Sequence, residues 1–513
     1  MKKKLALIVA LVLVCISTFV LLAACKDPSG PSGNGGNTTV THEYVDGVCK
    51  ICGNSIASTA TEGSNTWEKE HTIRFTSTQG QRLQTPMAIA KQRFEEKYPG
   101  WTIEYTFKSG SYETLRDDTI ADLQTSDYPD VVLCYPDHVA NYMLTKKVVD
   151  LSKYVYSKDT ITVGEGKKQD VGYTEAQIAD FFPGFWAEGL AESFADYARY
   201  GYTDDTIFTL PFAKSTELMF YNKTILDKEG IAVPKTWDEL WAACAKLSAK
   251  YTDCVPLGYD SESNWFITMC KQNGWGYTTA AGNSSDHYKF YNSDVINWLQ
   301  DMQAYYKNAY FITKQLYDPS GSQYTSALFA KSTDGGAFFC IGSSAGASNQ
   351  VITNGEEVGV AHIPGSKYTV QGREITDNSV ISQGPSVVMF RSNGSNADEK
   401  EYMTYLFIKE LLEPDFQSQY SQASGYSPVR TSTFEIPSYK AAIEAGKSGS
   451  GSTVNKAIYI ASTMTADFFT SPAFVGSSTA RDVVGNLFMT VMKGATDIEG
   501  EVKAAIKKCG GVI

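Results

Sequence analysis

Apolar and polar residues alternate along Thr72-Ile-Arg-Phe-Thr-Ser and again along Trp101-Thr-Ile-Glu-Tyr-Thr-Phe, the period of two that a half-buried strand requires. Between these runs Met87, Ile89, Ala90, Phe94 and Tyr98 fall roughly on one face of a helix, and Pro99-Gly100 stops it. Residues 115–123 are helical in pattern, and Pro129-Asp-Val-Val-Leu-Cys-Tyr135 is the short apolar run of a strand buried on both faces. Strands alternating with helices predict an α/β fold with a parallel sheet. Farther along, Gly230 ends a helix that carries Ile225 and Leu226. Thr236 then caps the next helix, with Glu239 at the third helical position to complete a capping box.

A different pattern opens the chain. Lys2, Lys3 and Lys4 precede an almost unbroken apolar run over residues 5–22, which is the design of a secretion signal. The run ends in Leu22-Ala23-Ala24-Cys25, which resembles the bacterial lipobox. That resemblance implies a signal peptide over residues 1–24 and a lipidated Cys25 as the new N-terminus. The body is then expected on the outer face of the cytoplasmic membrane, extracellular or periplasmic, held by a lipid anchor. Residues 26–36 are rich in Pro, Gly and Ser, a composition that cannot bury enough apolar surface to fold and so behaves as a tether.

Composition narrows the function classes. With 513 residues, 42% hydrophobic and 20% charged, the chain is neither disordered nor a multispan membrane protein. Its net charge of −12 argues against nucleic acid as a partner, because neutralising phosphates needs clustered Lys and Arg. The eight cysteines beyond Cys25 are scattered without framework spacing, so disulfides and buried free thiols stay equally open. One cluster stands apart: His42 followed by Cys49-Lys-Ile-Cys52-Gly offers three ligands at zinc-compatible spacing. A closed site needs a fourth, and Val40 stands where similar ribbons carry cysteine. A structural zinc, a local Cys49–Cys52 disulfide and free thiols are the alternatives, and no other cofactor is expected. The region 25–70 therefore holds the lipidated Cys, the linker and this knuckle.

The stretch from Phe208 carries the most specific signal: Leu-Pro211, then Tyr221-Asn222-Lys223, then Pro234-Lys-Thr236-Trp237-Asp238-Glu239-Leu240. It resembles the extracellular solute-binding proteins of ABC importers, in the branch that takes up sugars and glycerol phosphates. Phe94 to Gly100, Tyr128-Pro-Asp-Val-Val, Val358-Gly-Val-Ala-His-Ile-Pro-Gly, Tyr405-Leu-Phe-Ile-Lys and Ser424-Gly-Tyr426-Ser-Pro428 extend the likeness over nearly all of the body. The resemblance implies a two-lobed periplasmic-binding-protein-like fold with a hinge and interlobe cleft, each lobe a mixed, mainly parallel sheet flanked by helices. It places lobe 1 at 71–214 plus 343–384 and lobe 2 at 215–342 plus 385–513. The chain would cross between them near 213–217, 339–344 and 383–388.

Within that family, Ser109-Gly-Ser-Tyr112-Glu and Gly342-Ser-Ser344-Ala-Gly346 look most like the glycerol-3-phosphate-binding proteins. Tyr112, Ser215, Trp265, Ser344, Gly384 and Tyr426 match ligand positions there. Two departures bear on specificity: Pro136 or Asp137 falls where the acidic residue is expected, and Phe474 replaces an arginine expected before Gly476, while Arg481 lies nearby out of register. Without a guanidinium a dianionic phosphate loses its bidentate partner. Tyr and Trp suit sugars, since flat faces pack on C–H surfaces while hydroxyl and N–H groups reach oxygens. Tyr112, Trp265, Trp275 and Tyr426 are the aromatic candidates, whereas Trp237 and Trp298 sit in helical patterns and read as core.

The expected function is capture of a carbohydrate by hinge closure and delivery to the permease of an ABC importer, by a monomer that catalyses nothing. The alternatives are a glycerol-3-phosphate-type ligand in the same fold, an adhesion or scaffold lipoprotein, and a secreted carbohydrate-active hydrolase. Gly342-Ser-Ser344-Ala-Gly346 formally spells a nucleophile elbow, but His362 follows only 18 residues later with no aspartate between, so the usual chain order of a triad is missing.

Overall fold

The computed structural model describes residues 71–78, 83–163, 167–282, 284–370, 373–394 and 396–512, together with the backbone of a two-residue strand pair, Tyr44–Val45 and Val48–Cys49. Cys25, His42 and Cys52, and the side chain of Cys49, lie outside the described residues. So do the leader and the tether.

The first body is built on β1 (Thr72–Ser77), β2 (Thr102–Phe107), β3 (Val131–Cys134) and β4 (Leu210–Pro211), with helices α1 (Gln84–Lys97), α2 (Tyr112–Leu123) and α3 (Pro136–Tyr142) in the connections. The expected patterning of β1, α1, β2 and β3 holds. Helix α1 buries Met87, Ala90 and Phe94 against the sheet, and all four residues of β3 are buried. The second body carries β5 (Glu217–Asn222), α4 (Lys223–Glu229), α5 (Trp237–Lys250), β6 (Leu257–Tyr259), α6 (Glu262–Gln272), α7 (Ser293–Lys307), β7 (Phe311–Thr313), β8 (Phe339–Ser343) and β9 (Val358–His362). Gly230, at φ +61°, ends α4 as expected, and the Thr236 hydroxyl accepts from the Glu239 amide to cap α5. The Glu239 carboxylate reaches one residue past the cap and accepts from the Lys235 amide instead of that of Thr236.

Then β10 (Ser386–Met389) leads to α8 (Ala397–Leu411) and α9 (Pro414–Ser424) on the first body. After them α10 (Pro437–Lys447) connects to α11 (Thr453–Thr463), α12 (Ser477–Met492) and α13 (Ile498–Lys508) on the second.

Both five-stranded sheets follow one plan. The orders are β2-β1-β3-β10-β4 and β7-β6-β8-β5-β9, in each case two parallel pairings followed by two antiparallel ones. Four of the five strands in each sheet thus run the same way, the mixed, mainly parallel arrangement expected, with only β10 in one sheet and β5 in the other reversed.

This pairing corrects the lobe boundaries. Strand β9, expected in lobe 1 with 343–384, pairs with β5 in the second body. Strand β10, expected in lobe 2 with 385–513, lies between β3 and β4 in the first. The residues 344–357 that follow β8 suffice to return the chain to the same sheet, where β9 runs parallel to β8 on the far side of β5, so 339–344 is a central strand and no crossing. All four residues of β10 are buried, which a strand hydrogen-bonded on both sides satisfies. The crossings lie at 214–216, at 381–386, and through α10. At the first two the chain runs side by side, with the Ser215 amide donating to the Gln383 carbonyl at 2.7 Å and the reverse bond of equal length.

Three apolar cores follow, one of them, with Val132, Phe208 and Val388, on the opposite face of the first sheet. Of the other two, Phe75, Phe94, Leu133, Val387 and Phe407 centre the first, and Phe220, Leu247, Trp265, Phe339 and Phe488 the second. Among the described residues no helix is long and apolar enough to cross a membrane. Cys134, Cys244, Cys254, Cys270, Cys340 and Cys509 are free thiols.

Candidate functional site

In an α/β sheet the loops that leave the carboxyl ends of the parallel strands converge on one edge, and ligands bind there. Both sheets present that edge to the same space. Thr78 follows β1, Tyr135 follows β3, Asp260 follows β6, Lys314 follows β7, and Ser343 ends β8. All five line a cavity of about 470 Å³ between the bodies.

From the first body come aromatic hydroxyls. Tyr112 opens α2 behind the capping Ser111, its ring 4.5 Å from that of Tyr135, and Tyr426 stands in the loop after α9. Burial raises the Tyr112 and Tyr135 hydroxyls well above the ordinary phenol range, and Tyr112 is in hydrogen-bond contact with Tyr426. Tyr112 and Tyr135 therefore stay neutral donors. From the second body comes a polar floor. Glu217, the first residue of β5, accepts from the Tyr259 hydroxyl and, at 3.1 Å, from the Asn264 amide. The Asn264 carbonyl in turn accepts from Arg481 Nη1 at 2.9 Å. Burial pushes the Glu217 carboxyl up to about 7; the bonds from Tyr259 and Asn264 pull it back and the neighbouring Asp260 adds to the rise. Asp260 is itself raised by burial, against bonds of 2.8 and 2.7 Å from the amide and hydroxyl of Thr325.

The charges of the lining are mixed. Glu113, Glu217 and Asp260 face Lys314 and Arg481. The Arg481 guanidinium is shared with the opposite body, its Nε 3.6 Å from Asp137 Oδ2 on α3. Lys214 lies outside the lining and is neutralised at the hinge, ion-paired to Glu188 in a setting where both side chains are at most 3% exposed. It also donates to Ser386 Oγ at 3.1 Å, while Ser382 donates to the other Glu188 oxygen at 2.8 Å.

Of the six ligand candidates, the structure brings Tyr112 and Tyr426 together in the cavity wall. Ser215 and Gly384 sit in the paired crossing strands. Gly384 has φ +97°, and a Cβ there would run into the Ala213 carbonyl, so the close approach of the two strands requires glycine. Gly384 lines only a small neighbouring recess of about 40 Å³. Ser344 is fully buried behind the lining residues Ser343 and Ala345, with its oxygen 3.4 Å from the Thr216 amide. His362 is bonded at 3.1 Å to Thr463 instead, so the formal elbow has no histidine partner. Trp265 is in the second core, stacked on Tyr259 at 4.4 Å, with its indole N–H unpartnered. Phe474, at the position of the expected arginine, is buried against His287 and Tyr288.

Tyr135, Glu217, Asp260, Asn264 and Lys314 join the lining without being singled out in the sequence, whereas Arg481, out of register with the expected arginine, does reach it. Three of them lie at strand ends that the apolar runs mark, so the carboxyl-end rule applied to β3, β6 and β7 would have found Tyr135, Asp260 and Lys314. Glu217 opens an antiparallel strand, and Asn264 comes from a helix, for which no comparable sequence signal exists. Among the described residues no group of three or more His, Cys, Asp or Glu could hold a metal ion.

Comparison with known proteins agrees with this geometry. The glycerol-3-phosphate-binding periplasmic protein UgpB of Yersinia pestis is 24% identical over 360 residues, covering 67% of this chain and 71% of that protein. Its Escherichia coli counterpart is 23% identical over 361 residues, with the same shares. Among solved structures, UgpB of Mycobacterium tuberculosis with glycerophosphocholine superposes with a TM-score of 0.63 at 15% identity, over 86% of this chain and 97% of that one. The GacH receptor of Streptomyces glaucescens, solved unliganded and with acarbose, superposes at 0.62 and 16% identity, over 86% and 96%. These likenesses bear out the two-lobed fold. The model of one family, the bacterial extracellular solute-binding proteins, matches residues 90–447, and with that span over most of the folded body the chain belongs to this family.

Proposed function

We propose that the protein captures a neutral carbohydrate in the interlobe cavity, catalyses nothing, and hands its ligand to the permease of an ABC importer. The observation that carries this reading is the division of labour across the cavity. Tyr112, Tyr135 and Tyr426 from one lobe face acceptor-rich groups, Glu217, Asp260 and Asn264, on the other. Aromatic faces cover the C–H side of a sugar, and carboxylates and amides accept from its hydroxyls. At about 470 Å³ the cavity is in the ordinary range for small-molecule sites. The lipobox at Cys25 supports lipid anchoring to the outer face of the membrane.

A glycerol-phosphate ligand is the second reading, favoured by the names of the relatives and by Arg481 and Lys314 in the lining. Against it stand Asp137, which already engages Arg481, and the lining acids Glu113 and Asp260, which disfavour a dianion.

A thermal-shift screen of the soluble body against mono- and oligosaccharides, polyols and glycerol phosphates separates the two. A ligand at 100 times its dissociation constant stabilises the folded state by about 2.7 kcal/mol. A rise with one sugar class and none with phosphates is the expected result; a rise with phosphates alone overturns it. Chromogenic glycosides and esters should give no turnover.

A further inference from the structure

Five of the eight tryptophans of the chain line a second cavity, of about 250 Å³, on the outside of lobe 2 between α5, α6 and α7. It shares no residue with the interlobe cavity. Trp237, Trp241 and Tyr305 form a near-parallel stack, with centroids 6.4 Å apart at 29° and 4.5 Å apart at 27°. Trp275 and Trp298 stand at 50° to each other, and the fully buried Trp265 closes the back. Core packing accounts for Trp265 and Trp298, but Trp241, Trp275 and Tyr305 remain partly open to solvent.

Several polar groups of this wall already have partners. Trp237 Nε1 donates to Gln272 at 2.8 Å, Asn273 donates to the Met269 carbonyl and to Ser366, and Lys367 is paired to Glu374 at 3.2 Å. Asp238 and Asp301 are exposed at the rim and form no ion pair or hydrogen bond with another described residue. Both lie close to the Tyr305 hydroxyl: burial raises its pKa first, and the charges of Asp301 and Asp238 raise it further. Two unpaired carboxylates converge on one aromatic mouth. Ring faces carry negative potential, so such a mouth attracts a cation that can be desolvated cheaply, a quaternary ammonium more readily than a strongly hydrated one. A neutral sugar would leave both charges uncompensated.

We propose that this cavity is a second ligand site, for a small quaternary ammonium cation, independent of the interlobe cleft. The test titrates the mature protein with choline, at ionic strength matched by sodium chloride, following tryptophan fluorescence and calorimetry. The neutral isostere 3,3-dimethylbutan-1-ol and glucose serve as comparisons. Saturable one-to-one binding of choline is expected, with the isostere weaker by about tenfold. Asp301→Asn, a change at an exposed rim position, should weaken choline several-fold, and Trp241→Leu should weaken it about as much as loss of the charge on the ligand. Tyr426→Ala, altered in the cleft, should bind choline as the unchanged protein does. Equal binding of choline and isostere, displacement of choline by glucose, absence of saturable binding, or loss of choline binding in Tyr426→Ala would each overturn the proposal. Absence of saturable binding, or equal binding of the isostere, would leave carbohydrate capture in the cleft untouched, whereas displacement by glucose or loss in Tyr426→Ala would move choline into that cleft.

Discussion

Replacing Glu217 by Gln deletes a single titration from the floor of the cleft, and its size follows from burial. The carboxyl is pushed from an ordinary 4.5 to about 7, chiefly because the charged form is cut off from water. A folded-state pKa above the unfolded one means that the folded protein keeps a proton the unfolded chain has released. The associated stability is complete below about pH 4.5 and is lost as pH rises through about 7. Over the whole window the shift amounts to about 3 kcal/mol, most of it falling between pH 5 and pH 8. Urea unfolding of both proteins at pH 5, 6, 7 and 8, followed by tryptophan fluorescence, reads this as a difference. Glu413, Asp467 and Asp482, also raised, are common to both chains and drop out, whereas the neighbouring Asp260 is coupled to Glu217 and its response is part of the measured difference. The unchanged protein should lose stability relative to Glu217→Gln by that amount on going from pH 5 to pH 8. Parallel profiles, or a relative gain by the unchanged protein, would refute the claim that Glu217 is held by desolvation.

Three further outcomes are expected. Glu188→Ala strands the Lys214 ammonium in the hinge and should cost about 3–5 kcal/mol in urea unfolding, most of it recovered in the double variant Glu188→Ala/Lys214→Met. Removing the ring in Tyr112→Ala or Tyr426→Ala should weaken the sugar identified in the screen by about tenfold in calorimetry, with the melting point of the unliganded protein little changed. In the native state a thiol reagent followed by peptide mapping should mark Cys509 ahead of Cys134, Cys244, Cys270 and Cys340, which are fully buried with thiols raised by desolvation.

What could be read from the chain was local. The alternation in β1 and β2, the stripe Met87, Ala90, Phe94 and the Gly230 stop each depend on neighbours a few residues away, and all appear where expected. The destination of a strand is another matter. Ser386-Val-Val-Met389 and Val358-Gly-Val-Ala-His362 look alike as short apolar runs, and only the partner sheet distinguishes them. The exchange of these two strands between lobes was therefore invisible in their own residues. The same holds for the site. Tyr112 and Tyr426 could be picked out because they stand in Gly/Ser/Pro loops, whereas Glu217 and Trp265 have their roles set by depth alone. Glu217 reads as one more acid and proves to be a buried one, and Trp265 reads as a sugar platform and proves to be core.

The hinge and the lobe contacts divide the energetics of closure between them. Lys214, Glu188, Ser382 and Ser386 all lie in or against the paired crossing strands, so their bonds survive a rotation about those strands and do not distinguish open from closed. The contacts that must break on opening are across the cleft. Arg481 lies 3.6 Å from Asp137, Asn141 donates to Ser478 at 3.3 Å, and Gly425 packs so near the Ser344 carbonyl that a Cβ would come within 2.5 Å of it. Asp137 and Arg481 keep 12% and 19% of their side-chain surface, and at that spacing a partly solvated pair is worth on the order of 1 kcal/mol. Moving an equilibrium from 1:99 to 99:1 takes about 5.5 kcal/mol of differential affinity. The lobes' own contacts supply only a fraction of that, so the bias must come from a ligand that touches Tyr112, Tyr135 and Tyr426 on one side and Glu217, Asp260 and Asn264 on the other. A ligand that used Arg481 as its anchor would first have to displace Asp137, giving up part of the closing energy it needs. A neutral ligand leaves that pair intact, which is why the charge arrangement and the mechanics of closure favour the same chemistry.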